Sequence, residues 1–145
     1  MKFFLYCSRC VFPQFNINDL DIMRSALSNN PVYGVTGFLH RNSTHYFQYV
    51  EGRRERLGNL ETNLRGDKRH SDFRIVASGD ILYPQFAGWS MGYSQSSMEA
   101  IEANGITAND PAKVILAFLL NEADRQISET ARAVENVQVT RSKRA

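Results

Sequence analysis

Val35-Thr36-Gly37-Phe38-Leu39-His40-Arg41-Asn42-Ser43-Thr44-His45-Tyr46-Phe47-Gln48-Tyr49-Val50-Glu51-Gly52 reads as two extended runs about a polar turn. Val35 to His40 and Tyr46 to Val50 are rich in aromatic and β-branched residues, and Asn42-Ser43 supplies the turn between them. On the second run Tyr46, Gln48 and Val50 share one face, and Phe47 and Tyr49 share the other. The hairpin is the centre of the domain, and what flanks it decides the fold.

Upstream, Phe3 to Arg9 predicts a first strand, with Phe4, Tyr6 and Ser8 on one face and Phe3, Leu5 and Cys7 on the other. A helix follows, with Asn18 as its expected N-cap, Asp21 three residues later and Ile17 placed to pack on Ile22. Its stripe is Leu20, Met23 and Leu27, and Asn29-Asn30-Pro31 is expected to end it. Downstream, a second helix starts near Arg53, carries Leu57, Leu60 and Leu64, and stops at Gly66. Arg74 to Leu82 predicts a fourth strand and Trp89 to Tyr93 a fifth. The order is β-α-β-β-α-β plus one strand, an α+β, ferredoxin-like plan with both helices on one sheet face. The other face needs a cover. Asp110-Pro111 opens a helix with Val114, Ile115, Phe118 and Leu119, and a weaker one after a break near Asn121 carries Ile127, Ala131 and Val134. Residues from Arg141 to Ala145 are polar and basic and are expected to fray. Residues 1–94 thus form the expected domain, and 95–145 a helical extension.

Composition narrows the function classes. With 43% hydrophobic and 22% charged residues the chain is globular, and seventeen basic against fifteen acidic residues leave +2, too weak a balance to argue for nucleic acid. No apolar run reaches the ~20 residues of a membrane span, so a soluble cytoplasmic protein with no membrane partner is expected. Cys7 and Cys10 lie three apart on a strand, which points their sulfurs to opposite faces, and no second Cys/His pair stands at metal spacing. The cysteines are read as structural.

The informative residues are polar ones at positions that should be apolar. Gln48 sits mid-strand on the helix-covered face, and Tyr6 lies on the same face of the first strand. An unpaired buried amide costs ~1–3 kcal/mol, so both require partners. Asn30 points toward the same end of the sheet. Amides that donate and accept match the edge of a planar heterocycle, and Ile22, Met23 and Leu64 can sandwich its faces. Asp67-Lys68-Arg69-His70, just past a helix end, places cations where a ligand's phosphate or hydroxyls would reach.

These pieces resemble the BLUF domain, a sensor of blue light using FAD. The resemblance runs from Met1 to about Ser94. It is carried by Leu5-Tyr6-Cys7-Ser8, Asn29-Asn30 before Gly34-Val35-Thr36-Gly37, Phe47-Gln48-Tyr49-Val50-Glu51-Gly52, Asp67-Lys68-Arg69-His70 and Phe86-Ala87-Gly88-Trp89-Ser90-Met91, in order and at the family's spacing. It implies that Tyr6 is the photochemical electron donor and Gln48 the switching amide between Tyr6 and the flavin. Asn30 would hold the pyrimidine edge, Ile22 and Leu64 would contact the ring, and Asp67, Arg69 and His70 would lie near the ribityl and phosphate part. Trp89 and Met91 would lie on the fifth strand beside Gln48. Two positions depart from the family's pattern: Tyr46 replaces an apolar residue and Asn63 a basic one.

The expected function is a photoreceptor, not a turnover enzyme, since 145 residues leave no room for a cyclase or phosphodiesterase. Its partners are expected to be FAD, further copies of itself and a downstream protein reached through the fifth strand, Met98, Ile101 and the tail helices. Three rivals stand beside it. An RNA-binding module shares the strand plan and puts aromatics on the third strand, although the basic-Gly-aromatic motif is absent. A small-molecule enzyme lacks a nucleophile–base pair. The third is a flavin-binding protein without light signalling.

Overall fold

The computed structural model describes residues 1–96 and 105–144, with side chains to residue 141. Strands β1 (Lys2–Cys10), β2 (Thr36–Arg41), β3 (His45–Gly52), β4 (His70–Asp80) and β5 (Gly92–Gln95) alternate with helices α1 (Ile17–Tyr33), α2 (Arg54–Gly66) and the C-terminal α3 (Ala112–Arg144). They form one sheet of order β4-β1-β3-β2-β5. β1 runs antiparallel to both β3 and β4, and β5 joins the edge parallel to β2. This is the ferredoxin-like α+β plan with a fifth strand added.

The period-2 alternation of the strands sorts the core into two layers. Phe4, Tyr6, Leu39, Tyr46 and Val50 face α1 and α2, packing with Ile22, Met23, Leu57, Leu60 and Leu64. Leu5, Cys7, Phe38, Phe47 and Tyr49 face the opposite way and pack with Ile115, Leu119 and Ala123 of α3. The C-terminal helix therefore covers the face that the two crossover helices leave bare. No helix among the described residues is long and apolar enough to cross a membrane.

Several boundaries differ from the sequence reading, each for a local reason. The α1 cap is Asn16, whose side chain accepts from the Asn18 N–H at 3.1 Å, so Asn18 falls in the first turn. α1 does not stop at Asn29-Asn30-Pro31. It continues to Tyr33 because Gly34, at φ 67°, is the residue that takes the left-handed cap, letting the Val35 N–H close on Asn30 O at 2.9 Å. β4 starts at His70, not Arg74, and ends at Asp80, since it pairs with the full length of β1. β5 starts only at Gly92, so Trp89 and Met91 precede it. The chain already touches β2 at Trp89, whose carbonyl accepts from the Gly37 N–H at 3.0 Å. Laddering waits for Gly92, where a Cβ would come within 2.2 Å of the Phe38 ring. α3 shows no break at Asn121 and runs to Arg144, not fraying at Arg141. Asn costs a helix well under 1 kcal/mol, and the segment contains no Gly or Pro to interrupt it. Met98 and Ile101, on the expected output route, lie outside the described residues.

Candidate functional site

Tyr6 stands mid-β1, and strand register places it directly across from Gln48 on β3. Same-face neighbours in such a pair lie ~5 Å apart, close enough for direct bonding. The Tyr6 hydroxyl donates to Gln48 Oε1, and Gln48 Nε2 donates to Met91 Sδ at 3.2 Å. All three residues are buried. Burial pushes the Tyr6 phenol far above the ordinary tyrosine range, Asp67 and Cys10 add to the rise, and Arg69 opposes it. The phenol is therefore neutral throughout the working pH range and carries its proton toward the amide.

These groups form the floor of a slot between α1, α2 and the sheet, a cavity of about 560 Å³. Of the ten residues singled out from sequence, nine line it: Tyr6, Ile22, Asn30, Gln48, Leu64, Asp67, Arg69, His70 and Met91. Trp89 does not. It packs in the α3-side layer, edge-on to Phe38 with ring centroids 5.7 Å apart, on the opposite face of the sheet from Gln48.

Asn30 is buried in the last turn of α1, and its Nδ2 donates to the Ser90 carbonyl at 2.7 Å. Ile22 and Leu64 supply apolar walls from the two helices. At the α2 C-terminus, Arg69 grips Asp67 with Nε to Oδ1 at 3.0 Å and Nη2 to Oδ2 at 2.6 Å, and these bonds hold the Asp67 carboxyl below its usual range. His70 is engaged on both nitrogens. Nε2 donates to the Leu64 carbonyl at 2.5 Å, which leaves Nδ1 to meet Ser8 Oγ at 2.6 Å.

Sequence reasoning missed a buried polar group beside the slot, which meets its lining at Tyr46. Arg41, fully buried on β2, donates from Nη1 to Asp19 Oδ1 at 2.5 Å, and the Tyr46 hydroxyl donates to the same oxygen at 2.5 Å. Arg41 Nη2 also donates to the Phe12 carbonyl. The phenol that departs from the family's pattern is thus held by a buried carboxylate, and burial pushes it well above the ordinary range. The missed signal was an arginine one pleat from Leu39 on the covered face, as out of place there as Gln48.

The chemistry of this lining fits a flavin. The slot offers apolar faces, amides at the floor and one end, a neutral phenol, and cation and carboxylate at the other end. Its volume lies within the ~300–1,000 Å³ typical of such sites. No cluster of metal-ligating residues occurs among the described residues. Cys7 and Cys10 are free thiols on opposite sheet faces, and burial pushes Cys10 up to about 11, which disfavours its thiolate. Of the aromatics an RNA-binding strand would display, Phe47 and Tyr49 are buried beneath α3 and Tyr46 is buried on the α1/α2 side.

Comparison with known proteins agrees with this reading of the fold. The structure resembles BlsA in its photo-activated state, with 26% identity and a TM-score of 0.69 over 84% of this chain and 94% of that one. It also resembles the dark state of BlrB, a BLUF protein, with 27% identity and a TM-score of 0.63 over 71% and 76% of the two chains. Among curated sequences, the photoactivated adenylate cyclase subunit beta of Euglena gracilis is 32% identical over 81 residues, 56% of this chain and 9% of that protein. The Euglena longa counterpart is 30% identical over 96 residues, 66% of this chain and 10% of that one. The chain spans about a tenth of these relatives. The family profile described as "BLUF: Sensors of blue-light using FAD" matches residues 1–92, well over half the sequence, and the chain belongs to that family of blue-light sensors.

Proposed function

We propose that this chain binds oxidised FAD in the slot and reports blue light through the Tyr6–Gln48–Met91 hydrogen-bond line. The observation that carries the reading is the asymmetry of the Gln48 amide, whose oxygen faces a phenol donor and whose nitrogen faces a thioether. When bound, the flavin supplies the blue-light absorber and a one-electron acceptor. Tyr6, on losing an electron, releases its hydroxyl proton, and the atom in line to take it is Gln48 Oε1. Electron and proton then return to Tyr6, leaving the amide rearranged.

The rearranged amide cannot keep all its partners. A thioether accepts and does not donate, so turning Oε1 toward Met91 sets acceptor against acceptor. A buried amide left unsatisfied costs ~1–3 kcal/mol, enough to expel a flexible methionine from its seat. Met91 adjoins β5, and the Tyr93 carbonyl of β5 accepts from Gln126 Nε2 of α3 at 2.6 Å. We infer that residues 1–94 sense and that 95–145 carry output through α3 to a further copy of the chain or a downstream protein. The chain itself performs no turnover in this reading.

The test is an absorption spectrum of the purified protein before and after blue light. An oxidised-flavin spectrum that shifts slightly to the red and recovers in darkness is expected. A colourless protein rejects the cofactor, and a yellow one without the shift leaves a flavin carrier that does not signal light.

A further inference from the structure

Glu51, the penultimate residue of β3, lies three residues beyond Gln48 and is 1% exposed. Among the described residues it forms no salt bridge, so hydrogen-bond donors must compensate its charge. Three do. Oε1 accepts from the Thr36 hydroxyl at 2.7 Å and from the Phe86 N–H at 2.8 Å, and Oε2 accepts from the Gln85 N–H at 2.7 Å. Two of the three are consecutive backbone amides at the start of the segment that leads to Met91.

The far end of that segment is tied to the slot. The Trp89 carbonyl accepts from the Gly37 N–H, the Ser90 carbonyl accepts from Asn30, and Met91 Sδ accepts from Gln48. The seven residues from Gln85 to Met91 are thus a strap, fixed at one end by Glu51 and held at the other by two cavity residues.

We infer that Glu51 is a positioning residue for the Gln48 switch: its carboxylate fixes the Gln85–Phe86 corner and thereby sets how Met91 Sδ meets the Gln48 amide. This role rests on the switch reading proposed above. The competing account gives the same job to Phe86, whose ring is buried against Phe38 and Tyr49 at centroid distances of 5.7 and 5.2 Å.

Glu51→Gln separates the two accounts, because it keeps the size and the Phe86 packing but leaves one acceptor oxygen and turns an amide donor toward backbone N–H groups. Thr36→Val is the control, removing a bond to Glu51 that does not involve the strap. Hydrogen exchange of residues 85–91, measured with and without flavin, should quicken at least about tenfold in Glu51→Gln, as expected for losing a charge-assisted buried bond. Thr36→Val should stay within about twofold of wild type. In the flavin-loaded protein, Glu51→Gln should change dark recovery of the red shift several-fold, and Thr36→Val should not. Unchanged exchange in Glu51→Gln, an unchanged photocycle despite a loosened strap, or equal effects from Thr36→Val would each overturn the role. Should Glu51→Gln fail to fold, the wild type decides: the Gln85 and Phe86 amides must exchange as slowly as the β2–β3 ladder, and unprotected amides overturn the clamp. A wild type without any red shift sinks the switch and this role together. A normal wild-type shift that persists unaltered in Glu51→Gln sinks only the role of Glu51.

Discussion

On the α3 side of the sheet, Leu5, Phe38, Phe47 and Tyr49 meet Ile115 and Leu119 in a layer of packed rings and aliphatic chains. On the α1/α2 side, the intervening positions of the same strands include Tyr6, Leu39, Arg41, Tyr46 and Gln48, and the helices stand off to leave the cavity. Both faces obey the same alternation and differ in what they bury. One gains its stability mainly from dispersion and apolar burial, which tolerate no vacancy, and His40 is a polar exception within it. The other buries phenols, amides and an ion pair whose net worth in stability is small once desolvation is counted. Polar groups that add little to folding yet line a ligand-sized slot, as Tyr6, Asn30 and Gln48 do, support the proposal that this face holds the site.

The largest effect expected from this contrast is complete loss of the light response from a change that barely touches folding. Tyr6→Phe and Gln48→Leu should each retain flavin and the dark fold yet lose the normal red shift. A normal photocycle in Tyr6→Phe would remove Tyr6 as donor and break the assignment of chemistry to this face. The complementary variant is Leu119→Ala, which should cost ~2–5 kcal/mol of unfolding free energy, read from denaturant midpoints. Below its melting range it should still show the shift. Loss of the shift in folded Leu119→Ala would mean that the two faces are not separable.

A smaller effect should appear on lowering the pH, and it arises on the packed face. His40 is buried there, with Nδ1 2.5 Å from Ser94 Oγ, Nε2 3.0 Å from Ser96 Oγ and its ring edge-on to Phe118. Burial pulls it down to about 4, against an upward pull from Glu122, with Arg125 aiding the fall. Between about 6.5 and 4 the unfolded chain therefore binds a proton that the folded chain refuses. Stability is full above about pH 6.5 and declines as the pH falls toward 4, by ~3 kcal/mol for this group. Urea unfolding of the wild type and His40→Gln across that window checks it. Equal pH slopes in the two proteins would show that other groups govern acid sensitivity.

How much of this was legible in the sequence differs between the two faces. Alternation in β1 and β3 was enough to assign Tyr6 and Gln48 to one face and Phe47 and Tyr49 to the other, because the side-chain period of a strand is fixed by its backbone. The ferredoxin-like plan with a fifth strand and the covering role of the tail also followed from element order and patterning, but the place of β5 at the edge beside β2 did not. Helix ends did not. Asn16 and Asn18 offer the same capping chemistry two residues apart, and the reading could not foresee that Gly34, not Pro31, would end α1. The resemblance put Trp89 and Met91 together beside Gln48, and residues two apart share a face in a strand, but this segment is not yet laddered, so Trp89 turns to the α3 side and only Met91 reaches Gln48. The Asp19–Arg41–Tyr46 group was hidden because its members come from three elements and acquire meaning only when the fold joins them.

The smallest expected effect concerns the slot's cationic end. Arg69 lies at its mouth about a third exposed, already bound to Asp67 through two guanidinium nitrogens. A cation so placed is partly screened by solvent and partly neutralised by its partner, which limits what it adds to an incoming phosphate. Arg69→Ala should therefore weaken FAD binding only about two- to fivefold, corresponding to ~0.5–1 kcal/mol for an exposed charged contact. Riboflavin, which lacks the phosphates, should bind nearly as before, while Asn30→Ala, at the ring end, should lower the affinity of both. Titration of the flavin-free variants by fluorescence quenching reads each case directly. Equal losses for FAD and riboflavin in Arg69→Ala would mean that Arg69 serves Asp67 and the α2 terminus, and that the phosphates leave the slot by another path. A loss for FAD far beyond fivefold would instead mean that Arg69 releases Asp67 when the ligand enters, making this pair a part of the site that rearranges on binding, whereas the Tyr6–Gln48 floor is expected to rearrange only on light.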